Sequence, residues 1–463
     1  MDYIAAVSAW IWGPPMLILL VGGGLWLNIR LGFFPIRYFP FIVKETFGKI
    51  LTKPTGEGTI SPFQAACSAL ASTIGGSNII GVPVAIAFGG PGAVFWMWVT
   101  ALIGFATKFS EIALGLKYRE KNEEGTYVGG PMYYLNKGLG LPFLGAVYAF
   151  FLMIELVPSI STQTVNVVQT ASSVGIPKVV TGLVVTTLVG LVVVGGIKRI
   201  AQVTSRLVPF MAVLYICTAL VIILLNVGRL PGVFFMIFEH AFSPTAALGG
   251  FAGSSIAATL RWGVARGCYS NEAGMGTASI AHAAAVTDHP ARQAMWGVFG
   301  IMVDTMIICT ITAFVVLVTD VWTVVPPGEA GSMTALAFQQ LLGEGLGGGI
   351  VTICLMLFVI STIIVVIFFG EKQAEYLFGI RFSKVMRGVY LLAILAGSMI
   401  ELEFLYQFLD IFLATIILPN MIGLVLMSGQ VKEMKDEFLK SVQRGAGSGE
   451  REDELKPTLP GAP

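Results

Sequence analysis

Two apolar stretches of this 463-residue chain each carry small and polar residues where a membrane helix would normally be uninterrupted. In Phe63–Gly90 the cluster is Ala71-Ser72-Thr73-Ile74-Gly75-Gly76-Ser77-Asn78, and in Gly250–Ala285 it is Arg261-Trp262-Gly263-Val264-Ala265-Arg266-Gly267. A spanning segment that breaks its own helix in hydrocarbon leaves backbone groups that cost several kcal/mol each unless something binds them. With the helix resuming near Ile79, the amides of Gly76 and Ser77 point into the first break and form a seat for an anion such as a carboxylate. The carbonyls of the half-helix ending near Ala71 favour a cation. Gly75 and Gly76 bring no side chains, so a small ligand can approach the backbone closely. Glycine also serves tight helix packing, and that reading stays open for each isolated glycine. Paired breaks in corresponding positions point to the substrate and ion site of a secondary transporter.

Other residues could complete such a site. Ser361 and Thr362 fall midway along an apolar run, and hydroxyl oxygens beside freed carbonyls are hard ligands suited to an alkali cation. Each hydroxyl could instead bond the carbonyl one turn back. In Ser161-Thr162-Gln163-Thr164-Val165-Asn166, Gln163 and Asn166 share a helix face and could hydrogen-bond a polar ligand or a neighbouring helix. Arg261, Arg266, Glu272 and Asp304 are charges within expected spans, and Arg266 with Glu272 is a candidate gate pair. Trp262 and Gly263 are expected at the second break, where the indole would wall a small pocket facing Gly75 and Gly76. The cysteines lie in apolar runs without CxxC spacing, and His240, His282 and His289 have no partner at ligand spacing, which speaks against a metal centre or an intramembrane enzyme. No cofactor is expected. A channel is disfavoured because no span repeats a ring-forming charge pattern.

The elements that must position these residues follow from composition. The chain is 55% hydrophobic and 12% charged with 55 glycines, which excludes soluble globular and disordered classes, and a net charge of +1 argues against nucleic acid. Windows of about 20 apolar residues place eleven spans, near 10–28, 63–90, 92–116, 142–173, 178–196, 203–227, 250–285, 292–319, 346–370, 384–400 and 402–428. Trp10–Leu27 lacks a basic leader and a cleavage site, so it is expected to be a retained helix and not a signal peptide. Phe33–Ile50 mixes charges with aromatics and reads as an amphipathic surface helix. Of the 28 lysines and arginines only Lys178 and Arg229 fall in outside loops, which sets the amino terminus outside and the carboxyl terminus in the cytoplasm of a multi-pass cell-membrane protein.

After the first span the remaining ten divide into two sets of five, each opened by an interrupted helix. Because five is odd, the second set is inverted relative to the first. The expected organisation is an extra amino-terminal helix and surface helix (1–62), a first five-helix repeat (63–227), a second, inverted repeat (228–428) and a cytoplasmic tail (429–463), disordered from Ser441.

Gly89-Gly90-Pro91-Gly92-Ala93-Val94-Phe95-Trp96-Met97-Trp98, continuing to Gly104, resembles the motif of the alanine-or-glycine:cation symporters, and Arg266-Gly267-Cys268-Tyr269-Ser270-Asn271-Glu272-Ala273-Gly274-Met275-Gly276 is similar to that family as well. The likeness runs over almost the whole chain. It implies the all-α leucine-transporter fold, five plus five inverted helices with the first and sixth core helices broken, and sodium-coupled transport of a small neutral amino acid by alternating access. Ser77-Asn78 and Pro83 fall where that fold has Gly-Asn and Pro; serine replaces the glycine. The resemblance implies that Gly76 and Ser77 bind the substrate carboxylate, and with the residues singled out above the expected substrate site is Thr73, Gly75, Gly76, Ser77, Asn78, Gln163, Trp262 and Gly263. It also implies a sodium site of the Ala71 and Ile74 carbonyls with the Ser361 and Thr362 hydroxyls. A proton-coupled amino acid or amine carrier of the same fold is the rival, for which a buried carboxylate such as Glu155 or Asp304 would have to titrate.

Overall fold

The computed structural model describes residues 10–173, 176–246, 251, 253–399 and 403–445. The expected span ends at Gly250, Ile400 and Leu402 and the tail from Ala446 to Pro463 lie outside the described residues. The rest is a bundle of helices with one short hairpin, Glu120–Lys121 against Tyr127–Val128.

Helix α1 (Pro14–Arg30) leads to two short helices, Phe34–Arg37 and Phe39–Glu45, where a single surface helix was expected. Pro35 and Pro40 each occupy a first-turn position, so the chain restarts a helix at each proline instead of continuing one. Next come α2 (Pro62–Thr73) and α3 (Ser77–Gly89), bent 48° from each other, then α4 (Ala93–Lys117), α5 (Pro142–Ser173), α6 (Lys178–Val193) and α7 (Gly196–Leu225). A short helix α8 (Leu230–Phe242) precedes α9 (Ile256–Asn271), α10 (Thr277–His282) and α11 (Pro290–Val318). After α12 (Met333–Leu342) follow α13 (Glu344–Phe378), α14 (Ile380–Gly397), α15 (Glu403–Leu426) and α16 (Ser428–Gly445), so the expected disordered tail is helical over its first five residues, Ser441–Gly445. The short helices α8 and α12 lie in stretches expected to be loops.

Five described helices are long and apolar enough to cross a membrane, or seven when each bent pair counts as one span. The second bent pair, Ile411–Leu426 with Ser428–Arg444, turns by 59°. Past that bend α16 lays an amphipathic face on the bundle: its Phe438 packs on Phe41, on the His289 ring and under the Arg292 guanidinium. His289 caps α11, its Nδ1 accepting the Ala291 amide at 3.1 Å, and burial lowers its pKa, which keeps that nitrogen free to accept.

Core packing determines where the breaks can open. α4 lies against α9 and α11, α2 against α7 and α13, and α5 against α13 and α15. The α4–α9 seam is tight because of Gly263 and Gly267. A Cβ at Gly263 would come within 2.5 Å of the Ala93 carbonyl oxygen, and one at Gly267 within 3.2 Å of the Met97 Cα. The Arg261–Gly267 run is therefore helical, and its glycines serve packing. The second break instead lies at Glu272–Gly276, where Glu272, Gly274 and Gly276 take φ of 54°, 100° and 79°. A helix cannot continue through left-handed residues, and two of these three are glycines that adopt them at little cost.

Candidate transport site

At the first break α2 ends on Ile74, with ψ 87°, and α3 starts one residue after Gly76, slightly earlier than expected. Asn78 fixes the turn from both directions: its Oδ1 accepts the Gly75 amide at 2.9 Å, and its own amide donates to the Gly75 carbonyl at 3.2 Å. Its Nδ2 donates to Asp304 at 2.7 Å and to Ser270 at 3.2 Å. Asn78, expected to touch substrate, thus spends its polar atoms on tying the break to α11 and α9. The Thr73 hydroxyl likewise turns back to the Leu70 carbonyl at 3.2 Å and borders a small void beside Lys108, Asn271, His282 and Asp304.

The Gly76 and Ser77 amides remain at the start of the resumed helix, where no preceding carbonyl of the helix is in register to accept them. Gln163 reaches over this point: its Oε1, buried and without a hydrogen-bond partner, lies 3.6 Å from where a Cβ on Gly76 would be. Gly75, Ser77 and Gln163 border a cavity of about 60 Å³ that also touches Ser72, Glu155, Tyr269, Glu272 and Thr362.

Thr362 connects this cavity to the candidate cation site. Its hydroxyl lies 3.0 Å from the Ala71 carbonyl and 2.9 Å from that of Phe358, and a Cβ on Gly75 would stand 2.8 Å from its Oγ1. Ala71, Phe358 and Thr362 therefore bring three oxygens together at the end of α2, hard donors of the kind an alkali cation takes. Ser361 is adjacent, but its hydroxyl donates back to the Phe358 carbonyl at 2.8 Å. The Phe358 carbonyl was not foreseen, because a backbone oxygen has no signature of its own in sequence.

Trp262 does not face Gly75 and Gly76. Its ring stacks on Phe88 at 4.8 Å and carries the Arg266 guanidinium 5.2 Å from its centroid, and Trp262 and Arg266 line a separate niche of about 90 Å³ with Trp12 and Arg261. Gly263, on the α4 seam, also lies outside the central cavity. Arg266 and Glu272 form no ion pair; Glu272 accepts from Thr277 at 2.5 Å and Ser72 at 3.3 Å and borders the central cavity, while Arg266 belongs to the niche. With Arg266 at helical φ and Glu272 left-handed beyond the end of α9, the two side chains diverge. Tyr269, also unforeseen, lines both cavities and so partitions them.

The second break is held by side chains. Glu111 Oε1 accepts the Gly274 amide at 2.8 Å, the Gly276 amide at 3.0 Å and Asn420 Nδ2 at 2.9 Å. Asn420 also donates to the Gly274 carbonyl at 2.7 Å, and Tyr148 to the Met275 carbonyl at 2.7 Å. Glu111 and Lys108 of α4 are both buried charges that composition by spans does not single out. Lys108 donates to the Asn271 carbonyl at 2.8 Å, the last turn of α9.

A discontinuous helix whose open amides border a buried polar cavity, inside a bundle of apolar helices, is the architecture of a secondary transporter, not of an enzyme. The model of the sodium:alanine symporter family matches residues 1–452, and the chain belongs to that family. It is 51% identical to the uncharacterized transporter YflA of Bacillus subtilis (strain 168), over 95% of this chain and 94% of that protein. It is 42% identical to the sodium/alanine symporter AgcS of Methanococcus maripaludis, over 93% and 96% of the two chains. The fold matches the crystal structure of MhsT in complex with L-phenylalanine with a TM-score of 0.59 at 13% identity, covering 80% of this chain and 89% of that one. The protein is a multi-pass, cation-coupled amino-acid transporter with a leucine-transporter-type fold.

Proposed function

We propose that the chain is a sodium-coupled symporter of alanine, glycine or a similarly small neutral amino acid, working by alternating access between two inverted five-helix repeats, 63–227 and 228–428. The observation that carries this reading is the juxtaposition at one break of open amides and a clustered set of oxygens. Gly75 and Ser77 border the cavity on either side of Gly76, over which Gln163 reaches, while Ala71, Phe358 and Thr362 gather beside them. The substrate carboxylate sits on the two amides, with Gln163 turned so that its Nε2 donates to it. The substrate ammonium lies toward Glu272, whose carboxylate borders the same cavity. Sodium binds at Ala71 and Thr362, joined in this reading by Ile74 and Ser361. It is cargo, and the cycle calls on no cofactor.

The amino terminus is external and the carboxyl terminus cytoplasmic, as the segregation of lysine and arginine indicates. The identity to the sodium/alanine symporter AgcS supports both ion and substrate. The test is uptake of labelled alanine into proteoliposomes with and without an inward sodium gradient at fixed pH. Sodium-dependent accumulation is expected; accumulation driven equally well by a pH gradient without sodium would replace sodium by protons in this reading.

A further inference from the structure

Glu155 is the one charged residue of the central cavity that the substrate and sodium sites leave unused. It stands two helical turns before Gln163 on α5, and with Ser159 the three residues form an i, i+4, i+8 row along one face. At 1.5 Å per residue its Cα lies about 12 Å from that of Gln163 along the axis. α5 starts at Pro142, after the hairpin segment rich in lysine, and runs toward Ser173. In the orientation proposed above, Glu155 is therefore on the cytoplasmic side of the substrate amides.

The residue is 4% exposed, borders the cavity, and forms no hydrogen bond or ion pair with any described residue. No lysine or arginine borders the cavity either, and the neighbouring Leu152, Leu156, Phe369 and Ile416 bring no charge. A carboxylate taken out of water without a partner is expensive, and membrane proteins keep one where a mobile charge passes. Glu272 differs: it has Ser72 and Thr277 as fixed donors, so it can remain in place whether or not a cation is beside it.

We propose that Glu155 forms a transit site for a monovalent cation on the inward half of the pathway, receiving the charge as it leaves the Thr362 and Glu272 region for the cytoplasm. The ligand chemistry is a hard, singly charged cation met by the Glu155 carboxylate, with the Ser159 hydroxyl one turn further along the same face, and both a sodium ion and the substrate ammonium have it. The proposal rests on the symport reading, and it concerns the rate of release, not the affinity of the outward-facing site.

The experiment uses the purified full-length protein and its Glu155→Gln variant in proteoliposomes. Net alanine uptake under an inward sodium gradient is expected to fall tenfold or more in the variant, with half-saturating external sodium and alanine unchanged within twofold. Alanine–alanine exchange at equal, saturating sodium then separates the two cargoes: exchange is retained if sodium is the transiting ion and slowed in parallel if the ammonium is. Glu155→Asp, which keeps the charge on a shorter stem, is expected to recover part of the net rate, and it carries the same comparison should the glutamine variant fail to fold. Unaltered net uptake in the variants overturns the proposal. So does a raised half-saturating sodium concentration at an unchanged maximal rate, or a loss confined to uptake driven by a pH gradient. Absence of sodium-driven uptake by the unaltered protein would instead sink the symport reading itself.

Discussion

The two helix breaks face the same problem of freed backbone groups in a low-dielectric interior and solve it differently. At Glu272–Gly276 the chain supplies its own acceptor: one oxygen of Glu111 takes two amides and Asn420, and Tyr148 and Asn420 donate to the Met275 and Gly274 carbonyls. At Ile74–Gly76 the chain supplies a brace in Asn78, and the Gly76 and Ser77 amides at the start of the resumed helix have no preceding helical carbonyl to accept them, with Ser77 on the edge of a cavity. In the proposed function the first break is completed by a guest anion, and the second by the chain itself. A single helix interruption is thus not evidence of a binding site; what matters is whether a side chain already occupies the place of the ligand.

The largest effect is expected where the protein is its own ligand. Glu111→Ala removes the common acceptor of three buried donors, and at about 1–3 kcal/mol for each group left unsatisfied, partly relieved by relaxation, a loss of roughly 3–5 kcal/mol follows. Thermal unfolding in detergent should show it as a marked drop in midpoint that added alanine does not reverse. A variant as stable as the parent would mean that the two breaks are not different in kind.

The guest at the first break is tested by competition. Alaninamide lacks the anion that the proposed function places on the Gly76 and Ser77 amides, and a charge-assisted hydrogen bond of about 2 kcal/mol corresponds to roughly thirtyfold weaker inhibition of labelled alanine uptake. Equal inhibition by amide and acid would remove the carboxylate from that seat. A smaller effect is expected for Thr362→Val, which keeps the shape and deletes one oxygen. Half-maximal sodium should rise about fivefold, near 1 kcal/mol, with alanine affinity at saturating sodium unchanged. An unchanged sodium dependence would reassign that hydroxyl to helix packing.

The smallest effect is expected at Trp262. Because its ring stacks on Phe88 outside the central cavity, Trp262→Ala should alter the discrimination between alanine and leucine by no more than about twofold. A clear gain of leucine transport would show that the niche and the cavity communicate past Tyr269.

What sequence disclosed about these regions follows from the range of the interactions involved. The run from Ser72 to Asn78 is legible because glycines and polar side chains inside an apolar segment have few other uses when they come together. Arg261–Gly267 looks the same on paper, yet Gly263 and Gly267 are there for the backbone of α4. That purpose depends on a partner more than 150 positions away, and no local pattern announces it. The true interruption starts at Glu272, a residue with no special liking for left-handed geometry, so it gives little local warning. Glu111 was hidden for the same reason as the α4 seam: its importance is defined by amides on another helix. The expected pairing of Arg266 with Glu272 came from sequence proximity and opposite charge, and it was undone by the direction in which the end of α9 points each side chain.

The α4–α9 seam carries one more implication, for mechanics. At Gly263 and Gly267 the backbone of α9 lies directly against Ala93, Trp96, Met97 and Thr100 of α4, which leaves little room for one helix to glide past the other. The two must travel as a single strut. Because Glu111 of α4 also holds the Gly274 and Gly276 amides, the left-handed segment that ends α9 is fastened to the same strut, and the rocking that alternating access calls for in the proposed function would fall on elements outside it.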